Sequence, residues 1–207
     1  NETKVHIKSI HSEEITRENA KDILAGVDGI LVAPGFGSRG VEGKINAVEY
    51  ARVNKIPFMG ICLGMQCAVV EFARNVLGYA DAHSREMSPD TKHPVIDIMA
   101  EQKNITNMGG TMRLGAYPCK VSEDSNLFKA YGETMISERH RHRYEFNNEY
   151  MEEFKKHGMK ITGVNPETNL VEVVEVEDHP WYVASQYHPE YKSTVAKPHP
   201  MFVGFVK

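Results

Sequence analysis

Cys62 lies between two glycines where the residue pattern changes from that of a strand to that of a helix. The segment reads GICLG over residues 60–64. The apolar run IPFMGI before it predicts a buried strand, and apolar residues after it recur at spacings of three and four, as on one helix face. Small residues two positions before and after the cysteine indicate a sharply bent backbone, as in the G-x-S-x-G elbow. We interpret Cys62 as a nucleophile at a helix N-terminus, an exposed setting that favours the thiolate.

The alternative for any of the three cysteines is a structural role in the core. Free cysteine is among the most buried residue types, and we favour this interpretation for Cys67 and Cys119. Neither of them has the flanking glycines of Cys62.

A cysteine nucleophile requires a base and a group that orients the base. The segment SQYHPEY, residues 185–191, contains both, because His188 and Glu190 are two residues apart at the end of a predicted strand. An extended backbone projects both side chains to the same side, and Pro189 restricts the backbone between them. A solvated surface pair is the alternative.

The loop APGFGSRG, residues 33–40, follows another predicted strand and is rich in glycine. We expect the backbone N–H of Gly35 to form an oxyanion hole together with the N–H of Leu63. A phosphate-binding loop is the alternative, but the segment lacks the Lys-Ser/Thr of a P-loop and only approaches the G-x-G-x-x-G spacing.

Strands and helices alternate in the first half of the chain. KVHIKSI (4–10), GILVA (29–33) and IPFMGI (56–61) are predicted strands, and TRENAKDILAG (16–26) is a predicted helix with Thr16 as its N-cap. A further helix is predicted around INAVEYARVN, and the second half is rich in β patterns. We predict an α/β fold with a doubly wound, mostly parallel sheet and an antiparallel β extension.

The composition restricts the classes of function. The 207 residues are 41% hydrophobic, which suits one domain over residues 1–207, and the formal charge of −4 offers no general attraction to nucleic acid or acidic membranes. The three cysteines show no metal-ligand spacing and cannot all pair, which predicts a reducing, cytoplasmic compartment. The sequence has no signal-peptide pattern and no apolar run of transmembrane length.

Five segments in the same chain give a more specific indication. They are PGFGSRGVEGK, GICLGMQ, GGTMRLG, ERHRHRYEFN and QYHPEY. Together they resemble the class I glutamine amidotransferase domain of the CTP synthase family over nearly the whole chain. The second and last segments mark the wider class, and the others are typical of CTP synthases.

The resemblance implies that a triad of Cys62, His188 and Glu190 hydrolyses glutamine to glutamate and ammonia. It also implies a fold of the class I glutamine amidotransferase type, with no cofactor and no metal in this domain. The substrate contacts that it implies, oxyanion hole included, are Gly35, Leu63, Gly64, Met65, Gln66, Glu86 and Arg143. Glu86 would bind the α-amino group of glutamine, and Arg143 would lie along its other edge.

The resemblance further implies partners for the domain. In the family, an amidoligase domain uses ATP and Mg to aminate UTP with the ammonia, the full enzyme is a homotetramer, and GTP activates the glutaminase. The loop with Arg39 and Glu42 is expected to lie near the active site and to take part in activation by GTP. By the same resemblance, the amidoligase domain is expected to lie outside these 207 residues, as are the strand and helix that normally precede the segment matching residues 3–10. The chain also has Pro34 where the family has glycine.

Other functions remain open at this stage. Alternating arginine and histidine in residues 139–143 could mark a nucleic-acid patch, or His140 and His142 could bind metal. The acidic composition and the lack of further ligand spacing disfavour both. A non-catalytic regulatory domain of the same fold and a gamma-glutamyl hydrolase are the alternative functions.

Overall fold

The computed structural model describes residues 1–98 and 112–207. The segment GGTMRLG, which the family resemblance used, lies partly outside the described residues, because its first three residues are 109–111. The strands of the described residues are β1 (Ile30–Val32), β2 (Phe58–Ile61), β3 (His83–Ser84), β4 (Pro94–Ile98), β5 (Arg113–Val121), β6 (Met135–His142), β7 (Tyr144–Phe146), β8 (Met159–Val164), β9 (Val171–Val176) and β10 (Tyr182–Ser185). The α-helices are α1 (Ala20–Ile23), α2 (Val41–Val53), α3 (Leu63–Asn75), α4 (Asn126–Tyr131), α5 (Met151–Lys156) and α6 (Pro200–Val206).

The larger sheet of the described residues has seven strands in the order β1-β2-β10-β9-β8-β5-β6. β1 and β10 both pair with β2 in parallel, whereas β9, β8, β5 and β6 join by antiparallel pairing. The predicted parallel core with an antiparallel extension is therefore confirmed. The three parallel strands end at the same sheet edge, where ligand sites of α/β folds lie.

Both faces of this sheet are covered, as expected for a doubly wound fold. Phe58 and Tyr182 pack with α2, α3 and α5 on one face. Met59 and Val183, the next residues along the same strands, pack with α4 and α6 on the other. Because successive strand residues point to opposite faces, β2 is apolar throughout and β10 is apolar up to Ser185 at its end.

The predicted strand over residues 4–10 is wrong. These residues form neither a strand nor a helix, and Val5 and Ile7 are 58% and 86% exposed. A strand needs a neighbouring strand to pair its backbone groups, and the segment has none among the described residues. The predicted helix over residues 16–26 is shorter than expected, since α1 covers Ala20–Ile23.

Sequence patterns did not predict β6, which contains the alternating arginines and histidines. Its inward residues include His140 and His142, each 2% exposed, whereas Arg139 and Arg141 face outward. The alternation is the period of a strand with one buried face, although that face is polar.

A smaller sheet of three strands, β3-β4-β7, lies next to the carboxyl end of β6. β6 ends at His142 and β7 begins at Tyr144, so Arg143 is the single residue that connects the two strands. Within residues 1–98 and 112–207, no helix combines the length and the apolar character that spanning a membrane requires.

Candidate active site

Cys62 lies at the junction of β2 and α3 with a strained backbone. Its φ and ψ are 53° and −101°, outside the regions that a residue with a side chain ordinarily adopts. Its N–H donates to the carbonyl of Ser185 at 2.7 Å, which ties the bend to the end of β10. The elbow predicted from the sequence is therefore present.

The two flanking glycines are required by close packing at this bend. A Cβ at Gly60 would lie 2.8 Å from the carbonyl carbon of Gly64, and a Cβ at Gly64 would overlap the backbone oxygen of Val32. Because both contacts involve backbone, no side-chain rotation would relieve them. The glycines thus allow α3 to start directly above β1 and β2.

One pocket brings together several residues that the resemblance selected. Its lining includes Gly35, Cys62, Gln66, Glu86 and Arg143. These residues come from four separate parts of the sequence, and the fold places them around the thiol.

Glu86 is held between a positive side chain and a backbone donor. Burial raises the pKa of its carboxyl group, whereas Arg143 and the N–H of Gly37 counteract the rise. Glu86 and Arg143 therefore provide one negative and one positive group within the same pocket.

Leu63, Gly64 and Met65 lie behind the pocket instead of lining it. The side chains of Leu63 and Met65, both in α3, are 3% and 0% exposed and pack into the core together with residues of α2. A Cβ at Gly35 would lie 3.2 Å from the Leu63 side chain, so this leucine supports the glycine loop from below. Any contact of these three residues with a ligand would have to involve their backbone.

His188 and Glu190 are joined by a short hydrogen bond. Nδ1 of His188 lies 2.6 Å from Oε1 of Glu190. The imidazole also stacks on the ring of Tyr191, with the centroids 4.7 Å apart and the planes 4° from parallel. The backbone N–H of His188 donates to the carbonyl of Arg139 at 2.8 Å, which anchors the segment to β6.

The other nitrogen of this imidazole has no such contact. Nε2 of His188 is buried and has no hydrogen-bond partner among the described residues. Pro189 begins a 3-10 helix, Pro189–Lys192, whose tight turn brings Glu190 back beside the imidazole. An orphaned ring nitrogen and an oriented ring are the two features that a general base requires.

The surroundings of Cys62 differ from the expectation of an exposed thiolate. Cys62 is 2% exposed, and burial raises the pKa of its thiol to about 12, with the Glu190 carboxylate adding to the rise. A hydrogen bond from the N–H of Leu63 lowers the pKa, as expected at a helix N-terminus, but burial is the larger effect. The resting thiol is therefore neutral near pH 7.

Cys67 and Cys119 are core residues, as expected. They are 2% and 0% exposed, and burial raises the pKa of both thiols. Neither lines the pocket that contains Cys62.

Gln186 is a residue that sequence reasoning missed. Its side-chain Nε2 lies 3.6 Å from Sγ of Cys62, and its Oε1 accepts from Nε2 of Gln66 at 3.3 Å. Nε2 of Gln66 also donates to the carbonyl of Tyr144 at 3.1 Å. Because a carbonyl only accepts, this last contact fixes the orientation of both amides and directs an N–H of Gln186 toward the sulfur.

The histidines of β6 do not form a metal site. His140 and His142 contact each other and lie beside Arg113, whose positive charge disfavours a cation. In the described part of the chain, no three histidine, cysteine or acidic side chains are grouped so that they could hold a metal ion.

Arg39 and Glu42, the two residues expected to take part in activation by GTP, do not line the pocket. Glu42 lies in α2 and not in the predicted loop. Arg39 is 86% exposed in its side chain and reaches Glu13 at 3.9 Å. Glu42 pairs with Arg74 at 2.8 Å and lies 3.6 Å from Nε2 of His83. Glu42 therefore ties α2 to α3 and β3 in this structure.

Comparisons with known proteins agree with this geometry. The family described as glutamine amidotransferase class-I matches residues 1–207. The chain is 62% identical over 206 residues to a CTP synthase of Flavobacterium johnsoniae and 60% identical over 207 residues to that of Clostridium beijerinckii. It is covered completely in both alignments but spans only 38% and 39% of those proteins.

Among solved structures, the glutaminase domain of Trypanosoma brucei CTPS with bound acivicin matches with a TM-score of 0.93 and 39% identity. The match covers 99% of this chain and 80% of that one. A glutamine amidotransferase of Thermotoga maritima, at 15% identity and a TM-score of 0.50, shares the fold over 79% of this chain and 56% of its own. The chain belongs to the class-I glutamine amidotransferase family and, within it, to the glutaminase domains of CTP synthases.

Proposed function

We propose that residues 1–207 form a glutaminase domain that hydrolyses L-glutamine to glutamate and ammonia. The observation that carries the proposal is the meeting of Cys62, Glu86 and Arg143 in one pocket. A strained cysteine beside one carboxylate and one guanidinium suits a substrate that has an amide to attack, an α-amino group and an α-carboxylate.

In the first step, His188 takes the thiol proton through Nε2, and the sulfur of Cys62 attacks the side-chain carbonyl carbon of glutamine. Glu190 holds the proton of Nδ1 and stabilises the imidazolium. The N–H groups of Leu63 and Gly35 would donate to the developing oxyanion.

The imidazolium then protonates the leaving nitrogen while the C–N bond breaks, which releases ammonia and leaves a thioester on Cys62. Water attacks the thioester, and His188 accepts one of its protons. Cleavage of the C–S bond gives glutamate, and the proton returns to the sulfur. Since burial keeps the resting thiol neutral, each cycle depends on His188 as base.

The pocket would recognise the amino acid end of glutamine by charge. We assign Glu86 to the α-amino group and Arg143 to the opposite edge, where the α-carboxylate would lie. Gln66 lines the same pocket, and the backbone of residues 63–66 would surround the substrate carbonyl. A free amino acid would place an α-amino group by Glu86 and an α-carboxylate by Arg143, whereas an amide within a peptide carries neither charge, so the pocket would favour free glutamine.

The chain spans less than two fifths of the bacterial CTP synthases that it resembles. In a longer protein of this kind, the ammonia would pass to an amidoligase domain for the ATP-dependent amination of UTP to CTP. ATP, Mg and the activator GTP would act in that assembly, which is expected to be a cytoplasmic homotetramer. Activation by GTP would involve Arg39 of the glycine-rich loop and Glu42 in the first turn of α2. This function supports pyrimidine nucleotide biosynthesis.

The deciding experiment measures glutamate release from glutamine by the chain and by two matched variants. C62A should release no glutamate above background, because the covalent route needs the sulfur. C67A should keep most of the activity, since Cys67 is equally buried but lies outside the pocket. Activity that survives in C62A would overturn the proposed nucleophile.

Two further measurements separate the alternative functions. A non-catalytic domain would release no glutamate even with an amidoligase domain and its nucleotides present. A gamma-glutamyl hydrolase would cleave gamma-glutamyl peptides faster than free glutamine. Because the related Trypanosoma brucei structure has acivicin bound, we also expect this chain to bind acivicin. Acivicin should then raise the thermal unfolding temperature of the unmodified chain by more than it raises that of C62A.

A further inference from the structure

Five buried polar side chains form a cluster next to the pocket, and the proposed reaction uses none of them. Each is at most 6% exposed. They are Arg113 at the start of β5, His140 and His142 of β6, Glu145 of β7 and Glu172 of β9. His142 also lines the pocket, so the cluster reaches the wall of the site.

The charges of the cluster do not balance when both carboxyl groups are ionised. Among the described residues, Arg113 is the one cation of the cluster, and its guanidinium lies 3.2 Å from Oε1 of Glu145 and 2.9 Å from Oε1 of Glu172. One buried positive charge therefore faces two buried carboxyl groups. An unbalanced buried charge is costly, so the cluster is neutral only if it binds one additional proton.

The contacts of the two imidazoles lead to the same number. Nε2 of His140 lies 3.2 Å from Oε2 of Glu172, Nδ1 of His140 lies 2.7 Å from Nε2 of His142, and Nδ1 of His142 lies 3.2 Å from the carbonyl oxygen of Tyr144. The two imidazoles thus form a series of three contacts that begins at Oε2 of Glu172 and ends at the carbonyl oxygen of Tyr144. Two neutral imidazoles supply only two protons, so one contact lacks a proton unless the cluster holds another.

The contacts also indicate which group carries that proton. The carbonyl of Tyr144 only accepts, so His142 must donate through Nδ1 and accept at Nε2. His140 must then donate through Nδ1 and accept at Nε2. The atom that faces this acceptor is Oε2 of Glu172. Nε2 of His140 and Oε2 of Glu172 form no hydrogen bond in the described part of the chain although they lie 3.2 Å apart, as expected of two acceptors that face each other without a proton.

We propose that Glu172 is held in its protonated form and acts as a positioning residue for the glutamine pocket. Its O–H donates to His140, His140 donates to His142, and His142 donates to the carbonyl of Tyr144. The other carboxyl oxygen of Glu172 accepts from Arg113. The proton therefore sets the direction of the whole series of hydrogen bonds.

This series would fix the position of Arg143. Arg143 stands between His142 and Tyr144, and both neighbours are held by the series. The carbonyl of Tyr144 also accepts from Gln66, which orients Gln186 toward Cys62. If the series ran in reverse, the lone pair of Nδ1 in His142 would face that carbonyl, and the pocket wall would have to shift.

The titration of the cluster places the additional proton on a carboxyl group, and the contact with His140 selects Glu172. Burial raises the pKa of Glu145 to about 8 and raises the pKa of Glu172 in the same direction, while Arg113 opposes both rises. The pKa shifts by themselves do not favour Glu172 over Glu145, so the assignment rests on the acceptor nitrogen of His140 that faces Glu172. Burial and the charge of Arg113 lower the pKa of His142 to about 3, and the pKa of His140 is lowered as well. A carboxyl group thus retains a proton more readily than either imidazole. Among the described residues, the titratable groups outside the cluster that face its members are Cys62, Tyr117, Cys119, Tyr187 and His188.

Histidine NMR tests the proposal directly. Long-range ¹⁵N–¹H spectra, assigned through the backbone, distinguish the two neutral tautomers and the imidazolium. We expect His140 and His142 to be neutral at pH 7, with the proton on Nδ1. His199 is an internal reference for the opposite tautomer, because its Nδ1 accepts from the N–H of Met201. Protons on Nε2 of both His140 and His142, or an imidazolium in either, would overturn the assignment to Glu172.

Matched variants provide the second test. In E172Q the amide resembles the protonated acid, since its NH₂ can donate to His140 and its carbonyl can accept from Arg113. E172L removes both contacts. We expect E172Q to keep the histidine tautomers and the KM for glutamine to within about threefold, and E172L to raise KM by about tenfold or more, as for loss of a buried hydrogen bond.

E145Q is the control at the other end of the cluster. It removes one negative charge and leaves a donor beside His142, so we expect it to disturb the tautomers where E172Q does not. Equal behaviour of E172Q and E145Q, or a loss in E172Q as large as in E172L, would overturn the proposal. The kinetic readout rests on the proposed glutaminase function, whereas the tautomers are measurable even if the chain hydrolyses no glutamine.

Discussion

The imidazole of His188 is oriented by Glu190, because its Nδ1 lies 2.6 Å from the carboxylate oxygen Oε1 and its Nε2 is left without a partner among the described residues. The carboxylate accepts the proton of Nδ1, so Nε2 presents its lone pair. One contact therefore selects the tautomer that can act as a base. The role of each residue in this pair can be separated by mutation.

His188→Ala should lower the kcat for glutamine hydrolysis by about 10²–10⁴, because it removes the base that the neutral thiol requires. Glu190→Gln should cost less, since the imidazole still stacks on Tyr191 and the amide carbonyl can still accept from Nδ1. Steady-state glutamate release measures both. Full activity of His188→Ala would show that another group is the base.

The reactivity of Cys62 toward a small neutral electrophile should depend on pH in a specific way. Burial raises the pKa of this thiol to about 12, so the thiolate fraction is small at pH 7 and increases about tenfold per pH unit over the alkaline range. We expect the rate of alkylation by iodoacetamide, followed by mass spectrometry of the Cys62 peptide, to rise without a plateau from pH 7 to pH 10. A plateau near pH 8 would indicate a preformed thiolate.

A glutamine analogue that carries a diazo-ketone should label Cys62 and neither Cys67 nor Cys119. All three thiols are buried, so exposure does not distinguish them, and selectivity must come from binding in the pocket that Cys62 lines. Glu86→Gln should therefore slow the labelling at a fixed, subsaturating concentration of analogue, because the α-amino group loses its partner. Peptide mapping of the adduct to Cys119 would contradict this prediction.

Gly64→Ala should destabilise the chain by about 2–4 kcal/mol or prevent folding, because the added methyl group overlaps the backbone oxygen of Val32. Gly26→Ala is the matched control. Gly26 has a φ of 72° and open space around it, so the cost is limited to the conformation itself, about 1–2 kcal/mol. Urea unfolding compares the two, and equal midpoints would show that the contact with Val32 is not limiting.

Gln186→Leu should raise the pKa of Cys62 further and lower kcat by about tenfold, as for loss of one hydrogen bond to a charged group. The leucine fills similar space but cannot donate to the sulfur, whose distance from Nε2 of Gln186 is 3.6 Å. The pH dependence of iodoacetamide alkylation in this variant should shift to higher pH than in the unmodified chain. An unchanged profile would show that the amide contributes packing alone.

The isolated chain should hydrolyse glutamine slowly, because its thiol is neutral at rest and ammonia without an acceptor would be wasted. Adding the amidoligase domain with UTP, ATP and GTP should raise the rate by about tenfold or more, the size of a typical coupling free energy. Arg39→Ala should reduce this stimulation without changing the basal rate. A full rate by the chain alone, insensitive to partner and nucleotides, would contradict gating.

The local sequence was sufficient to identify the elbow at Cys62 and the pair formed by His188 and Glu190. Gly60, Cys62 and Gly64 are neighbours, and so are His188 and Glu190, so their spacing constrains their geometry wherever the segments lie. The structure confirms the bend and the hydrogen bond, and it adds the reason for the glycines, which is contact with the backbone of β1 and within the elbow.

The partners of these residues were not available from local patterns. Glu86 and Arg143 entered only through resemblance, since an isolated acid or arginine in a loop has no periodicity that marks a site. The strand predicted over residues 4–10 failed for a related reason, because alternation indicates a strand only where a neighbouring strand pairs with it.

The sequence by itself determined the bend at Cys62, the alternation of strands and helices, and the family, because these depend on residue types at short spacing. Tertiary structure decided the burial that raises the pKa of Cys62, the position of the Gln186 amide beside its sulfur, and the proton that we infer on Glu172 next to His140. Those properties depend on the dielectric surroundings and on contacts between segments that are distant in the sequence, such as Cys62 and Gln186, which are 124 residues apart. Only folding brings these segments together.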